Sequence, residues 1–98
     1  MSSSESSSSW TFLTNHTQVL LCINENVDVR LREVAERVGV TERAAQRIVA
    51  DLVDAGIIDR RRVGRRNHYL VNRGAAMRHA AQAELRVGPL LDLLAPRP

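Results

Sequence analysis

The segment VAERVGVTERAAQRIVADLVDAG, Val34 to Gly56, carries two apolar patterns of helical pitch with only Gly39, Val40 and Thr41 between them. Leu31, Val34, Ala35 and Val38 recur at the spacing of one helix face, and Ala45, Ile48, Val49, Leu52 and Ala55 at the spacing of another. A connection this short forces the two helices to be neighbours in space and to turn sharply against each other. The linking residues suit that role: Gly39 accepts a left-handed backbone at the end of the first helix, and Thr41 is an N-cap for the second. Val40 is placed to pack back as a staple, and Gly56 to cap the far end. The pattern is that of a helix-turn-helix.

Upstream, TNHTQVLLCINEN predicts a further helix over 15–25, with Thr14 or Asn15 as its N-cap, an Asn15/Gln18 capping-box spacing, and Val19, Leu20 and Ile23 on one face. NVDV reads as a loop, with Val29 to Leu31 as a short strand. Aromatic residues make up only 3% of the chain, so the core must be aliphatic, which favours helices over a sheet sandwich. The single cysteine, Cys22, sits in the apolar run VLLCI, where it is expected to be a small core residue; it excludes an internal disulfide. Residues 1–9 are nearly all serine and are expected to form a disordered tail, with order beginning near Trp10 or Phe12 and Trp10 packing on the first helix.

Beyond Gly56 the chain changes character. Ile57 to Val63 and His68 to Val71 are predicted strands, joined through Gly64, Arg65, Arg66 and Asn67 into a hairpin. In RRRVGRRNHY, Arg60 to Tyr69, five of ten residues are arginine and none is acidic. Residues 1–59 hold five arginines against nine acids, and residues 60–98 hold nine against two, so the halves differ by −4 and +7 in formal charge. Such asymmetry points to an anionic partner approached from the second half. All fourteen basic residues are arginine, which GC-rich coding explains, although coding does not explain their clustering. From Gly74, AAMRHAAQAELRV has helical propensity and a weak apolar stripe; Gly88 and Pro89 then restart a helix through PLLDLLA.

Taken together, LREVAERVGVTERAAQRIVADLVDAGIIDRRRVGRRNHYLV, Leu31 to Val71, resembles the winged-helix transcription regulators of the MarR and ArsR type over somewhat under half the chain. The whole chain is also similar to small stand-alone winged-helix proteins common in actinobacteria. The resemblance implies a mainly α fold with a small β-hairpin wing: a winged helix-turn-helix with a three-helix core plus a C-terminal helix. It places a winged-helix DNA-binding domain at 10–73 and a C-terminal helical segment at 74–98, expected to dimerise. Arg30 stands where these families carry a polar N-cap, and there is no thiolate pair of the CxC kind, so the metal sensing of many ArsR-type proteins does not carry over.

With one face of the second helix of the pair buried, Thr41, Glu42, Arg43, Gln46 and Arg47 turn outward as candidate DNA contacts. Arg pairs with guanine O6 and N7, Gln with adenine N6 and N7, and Glu accepts from cytosine N4. In the wing, Arg65 and Arg66 are assigned to the tip, entering or bordering the minor groove, Arg60, Arg61 and Arg62 to phosphates, and Asn67 of the connecting loop is a further candidate DNA contact. A solvated-face reading instead pairs Arg43 and Arg47 with Glu42 or Asp51 along the helix. Leu90, Leu91, Leu93 and Leu94 exceed what a small core needs and are assigned to a symmetric homodimer. A cavity between the dimer helices would house any small-molecule effector.

His16, His68 and His79 are scattered, and Glu33, Glu36 and Asp51 lack catalytic partners, so the sequence carries no metal, cofactor or enzyme signature. No run is long and apolar enough for a membrane span and no secretory signal is present, so a cytoplasmic protein is expected. The reading is a sequence-specific regulator, a repressor by steric exclusion, with double-stranded DNA as partner. The alternatives are a protein-interaction module, which would present an apolar patch, and an architectural binder indifferent to sequence.

Overall fold

A computed structural model describes residues 10–95; the serine-rich segment 1–9 and residues 96–98 lie outside the described residues. Three helices form the centre: α1 (Asn15–Glu25), α2 (Leu31–Val38) and α3 (Glu42–Asp54), followed by strands β1 (Ile58–Val63) and β2 (Arg66–Val71) and a last helix, α4 (Val87–Leu94). This is a winged helix-turn-helix.

Local chemistry fixes the helix ends. Thr14 rather than Asn15 caps α1, its Oγ1 accepting from the Thr17 amide at 3.2 Å. Gly39 ends α2 at φ +87°, a conformation that disfavours any residue with a Cβ, and the Gly39 and Val40 amides both return to the Ala35 carbonyl. Past α3, the amides of Gly56 and Ile57 bond the carbonyls of Val53 and Leu52, the pairing of a Schellman motif. The helix ends thereby keep few unpaired backbone groups.

The core is aliphatic with one exception. Val19, Ile23, Val34, Val49 and Leu91 are fully buried beside Tyr69, and no polar or charged residue except that phenol-bearing one is buried among the described residues. Cys22 lies in the same core, as expected, and burial pushes its thiol up from the ordinary cysteine range.

Three expectations are corrected. Val29 to Leu31 is not a strand: Val29 is buried, Arg30 is extended as the N-cap of α2, and Leu31 already begins that helix. Residues 74–86 do not form a helix. They run back as irregular chain with an Ala76–Arg86 bridge and one 3-10 turn, Ala80–Gln82, because their weak apolar stripe gives a helix nothing to bury and a short isolated helix is marginal in water. Trp10 is 71% exposed, so α1 does not bury it.

The return of the chain is pinned by three amides: Met77 to the Leu85 carbonyl, Val87 to Ala75, and Gly88 to Arg73. A Cβ on Gly88 would stand 2.9 Å from the Arg73 Cβ and 3.0 Å from its carbonyl oxygen, so this crossing requires glycine. It delivers α4 into the same core as α1, with Val87 and Leu91 buried. The segment after residue 73 is thus part of the domain rather than an appendage. Of the four leucines assigned to a dimer contact, Leu91 is the correction: it fills its own chain's core at 0% exposure, while Leu93 is 74% exposed and Leu90 and Leu94 are half-buried.

Leu91→Ala is therefore expected to cost about 2–5 kcal/mol in urea denaturation, independent of protein concentration, while Leu93→Ala changes monomer stability by no more than about 0.5 kcal/mol. Cys22 should resist a thiol-specific reagent until the protein unfolds, measured by the rate of modification with and without denaturant.

Candidate nucleic-acid interface

Helix α3 divides along its length. At its start the Thr41 Oγ1 accepts from the Ala44 amide at 3.0 Å, and Glu42 places a carboxylate near the positive end of the helix. Burial of Ala45, Ile48, Val49 and Leu52 leaves Thr41, Glu42, Arg43, Gln46 and Arg47 exposed, as the periodicity requires. Arg43 and Arg47 form no ion pair among the described residues. Of the two acids offered to them by the solvated-face reading, Glu42 pairs with neither and Asp51 is engaged elsewhere, its Oδ2 lying 2.9 Å from Nε2 of His16 on α1. The arginine-bearing half of the helix faces outward unpartnered, and the acidic half is tied to the helix behind it.

The wing is tighter than its sequence suggests. β1 and β2 pair antiparallel from Ile58↔Val71 to Val63↔Arg66, so only Gly64 and Arg65 form the turn. Gly64 has φ +64° and Arg65 does not share the positive φ, the arrangement of a II′-like hairpin whose twist matches that of the strands. Arg66, assigned to the tip, and Asn67, assigned to the connecting loop, belong to β2 instead. The two-residue turn won because glycine at its first position lets the ladder extend two residues further than the polar composition implies.

Alternation then sorts the side chains. Arg60 and Arg62 share a face with Ile58, Asn67, Tyr69 and Val71, while Arg61 shares the other with Asp59, Val63, Arg66, His68 and Leu70. Several are held. Arg62 Nε donates to the Gly64 carbonyl at 3.3 Å, Arg66 Nη2 donates to the Asp28 carbonyl at 2.7 Å, and half-buried Asn67 turns its Nδ2 toward the Tyr69 hydroxyl at 3.5 Å. Arg60, Arg61 and Arg65 have no hydrogen-bond or ion-pair partner among the described residues. Arg73, just past β2, is not available for an anion, since its Nη2 reaches Asp92 on α4 at 2.6 Å.

Sequence reasoning missed the loop between α1 and α2. There Asp28 stands beside the wing, with its Oδ1 at 2.7 Å from Nδ1 of His68, and the Val27 carbonyl accepts the Tyr69 amide at 2.9 Å. These contacts join residues some 40 positions apart, and no local pattern marks them. Arg30 also lines the cleft between this loop and the wing tip.

An array of unpartnered guanidiniums on a helix start and a hairpin tip suits a polyanion: guanidinium matches phosphate oxygens bidentately, and Gln46 beside them adds a group able to tell base edges apart. A family model described as the MarR family matches residues 11–66, from just ahead of α1 to the first residue of β2. No curated protein matches the chain.

Thr41→Ala is expected to lower stability by about 1 kcal/mol through the lost cap, with Thr41→Ser close to wild type. Gly64→Val should cost more than about 1 kcal/mol, since a β-branched residue at positive φ opposes the turn. Thermal melts followed by circular dichroism measure both.

Proposed function

The chain belongs to the MarR family, a family of DNA-binding transcription regulators, and from that premise we propose that it represses transcription by occupying promoter DNA in the cytoplasm. In this reading α3 enters the major groove with Arg43, Gln46 and Arg47 toward base edges, and Thr41 and Glu42 lie where the helix begins. Arg65 at the hairpin tip borders the minor groove, and Arg60, Arg61 and Arg62 lie along phosphates. The observation that carries the reading is the set Arg43, Arg47, Arg60, Arg61 and Arg65, all exposed and all without a partner among the described residues. Like charges gathered this way oppose folding, so an external anion is what they are suited to.

A second copy completes the site. Leu93 and Phe12, at 74% and 92% exposure, together with Leu90 and Leu94, supply apolar surface for a symmetric pair. Two recognition helices about 34–36 Å apart would then call for an inverted repeat. A small-molecule effector has room in a cleft of about 840 Å³ that lies between α1, the end of α3 and the returning chain, with Leu20, Leu52 and Met77 inside and His16, Asp51 and Arg78 at its polar side.

Selection of bound duplexes from a random library, then titration of the winner and a scrambled control at two salt concentrations, tests the reading. An inverted repeat bound roughly a thousandfold more tightly than the control supports it. Equal, salt-sensitive binding would replace it with an architectural role, and no binding at low salt with a protein-interaction role. Arg65→Ala should weaken all duplexes alike and reduce the salt slope by about one, whereas Gln46→Ala should relax preference at one position. Sedimentation should give a dimer that Leu93→Asp dissociates.

A further inference from the structure

The loop between α1 and α2 runs antiparallel beside β2: Val27 meets Tyr69, and Asp28 meets His68 and Arg66. The loop is itself held, because the Asp28 amide donates to Asn26 Oδ1 at 3.0 Å and the Val29 amide to the Asn26 carbonyl at 3.0 Å, while Val29 is buried in the core. A two-stranded hairpin has little rigidity of its own. Beyond Tyr69 no residue of the wing is buried, so its outer half is referred to the helices chiefly through Asp28.

Asp28 is an unexpected residue there. It sets a carboxylate among Arg30, Arg65 and Arg66, in the region assigned to DNA, where a negative charge opposes binding. Its geometry gives it a different task. The carboxylate takes His68 at 2.7 Å and the carbonyl takes Arg66 at 2.7 Å, and these two side chains leave the same face of β2. Both bonds are exposed and contribute little to stability, but two bonds to one residue fix a direction.

We propose that Asp28 is a positioning residue for DNA binding: it clamps β2 through His68 and Arg66 and so sets the angle at which Arg65 meets the nucleic acid. The inference rests on the DNA-binding reading for its consequence. Arg66 then serves mainly to hold the wing, and Arg65 to touch the ligand.

The test turns on sign. If Asp28 acts only as a charge, Asp28→Ala strengthens binding to the selected duplex. As a clamp, Asp28→Ala weakens it, by about threefold or more, while Asp28→Asn, which keeps an oxygen for the His68 Nδ1–H and drops the charge, binds at least as well as wild type. His68→Ala should show the same loss, and the double variant Asp28→Ala/His68→Ala no further loss. Stronger binding by Asp28→Ala, or failure of Asp28→Asn to rescue, overturns the proposal. Amide exchange in the free protein separates this from the functional reading. Faster exchange across residues 66–69 in Asp28→Ala but not in Asp28→Asn upholds the clamp even if no duplex is bound, and unchanged exchange overturns it.

Discussion

Burial of Tyr69 holds the arginine hairpin to the rest of the molecule. At 2% exposure it is the largest fully buried side chain, in the same core as the aliphatic residues of the helices, and β2 packs against α1. A hairpin carrying five arginines buries no apolar side chain near its tip, where Val63 is 64% exposed, and would gain little by lying on the helices. Ile58 and Tyr69 give its base an apolar face, and the Tyr69 amide adds a backbone bond to Val27. Burying an aromatic ring of this size is worth a few kcal/mol, enough to outweigh the repulsion among exposed, water-screened guanidiniums. The base can therefore be fixed while the tip stays charged and in water.

The acids complement this arrangement by where they are engaged. Asp51 faces His16, Glu25 takes Arg37 at 2.9 Å, and Asp92 takes Arg73 at 2.6 Å. The Glu25 carboxylate also holds Arg37 above the ordinary arginine range through its hydrogen bond. Each pair is exposed, and exposed pairs add at most about 1 kcal/mol, so their importance lies less in stability than in what they leave over. The partners they engage are His16, Arg37 and Arg73. Arg43 and Arg47 at the α3 start and Arg60, Arg61 and Arg65 of the hairpin are among the arginines that no acid pairs within the described residues, so a modest net charge of +3 still leaves guanidiniums gathered on these two elements.

The C-terminal segment shows the same economy of core. A chain of 98 residues has few apolar side chains to spare, and α4 supplies Val87 and Leu91 to the centre instead of standing apart. Gly88 allows that approach by letting the helix start press on the backbone of Arg73. Of the remaining leucines, Leu93 is left at the surface on the side away from Leu91, while Leu90 and Leu94 are half-buried, so one helix serves the core and still shows an apolar residue to solvent.

By itself the sequence determined the helices, the turn between α2 and α3, the outward face of α3 and the existence of a charged hairpin. All of these follow from periodicity, caps and glycine over spans of a few residues, within which the chain interacts with itself. Tertiary structure decided the rest. Whether 74–86 would be helical depended on an apolar face long enough to cover the core, and only Ala75 and Met77 pack there; whether Leu91 was core or interface depended on where Gly88 let the chain cross. Which arginines stay available depended on acids distant in sequence, with Asp92 removing Arg73 and Asp28 holding Arg66 by its carbonyl. Charge acts through space over several ångströms and has no sequence period, so its partners emerge only once packing has placed them.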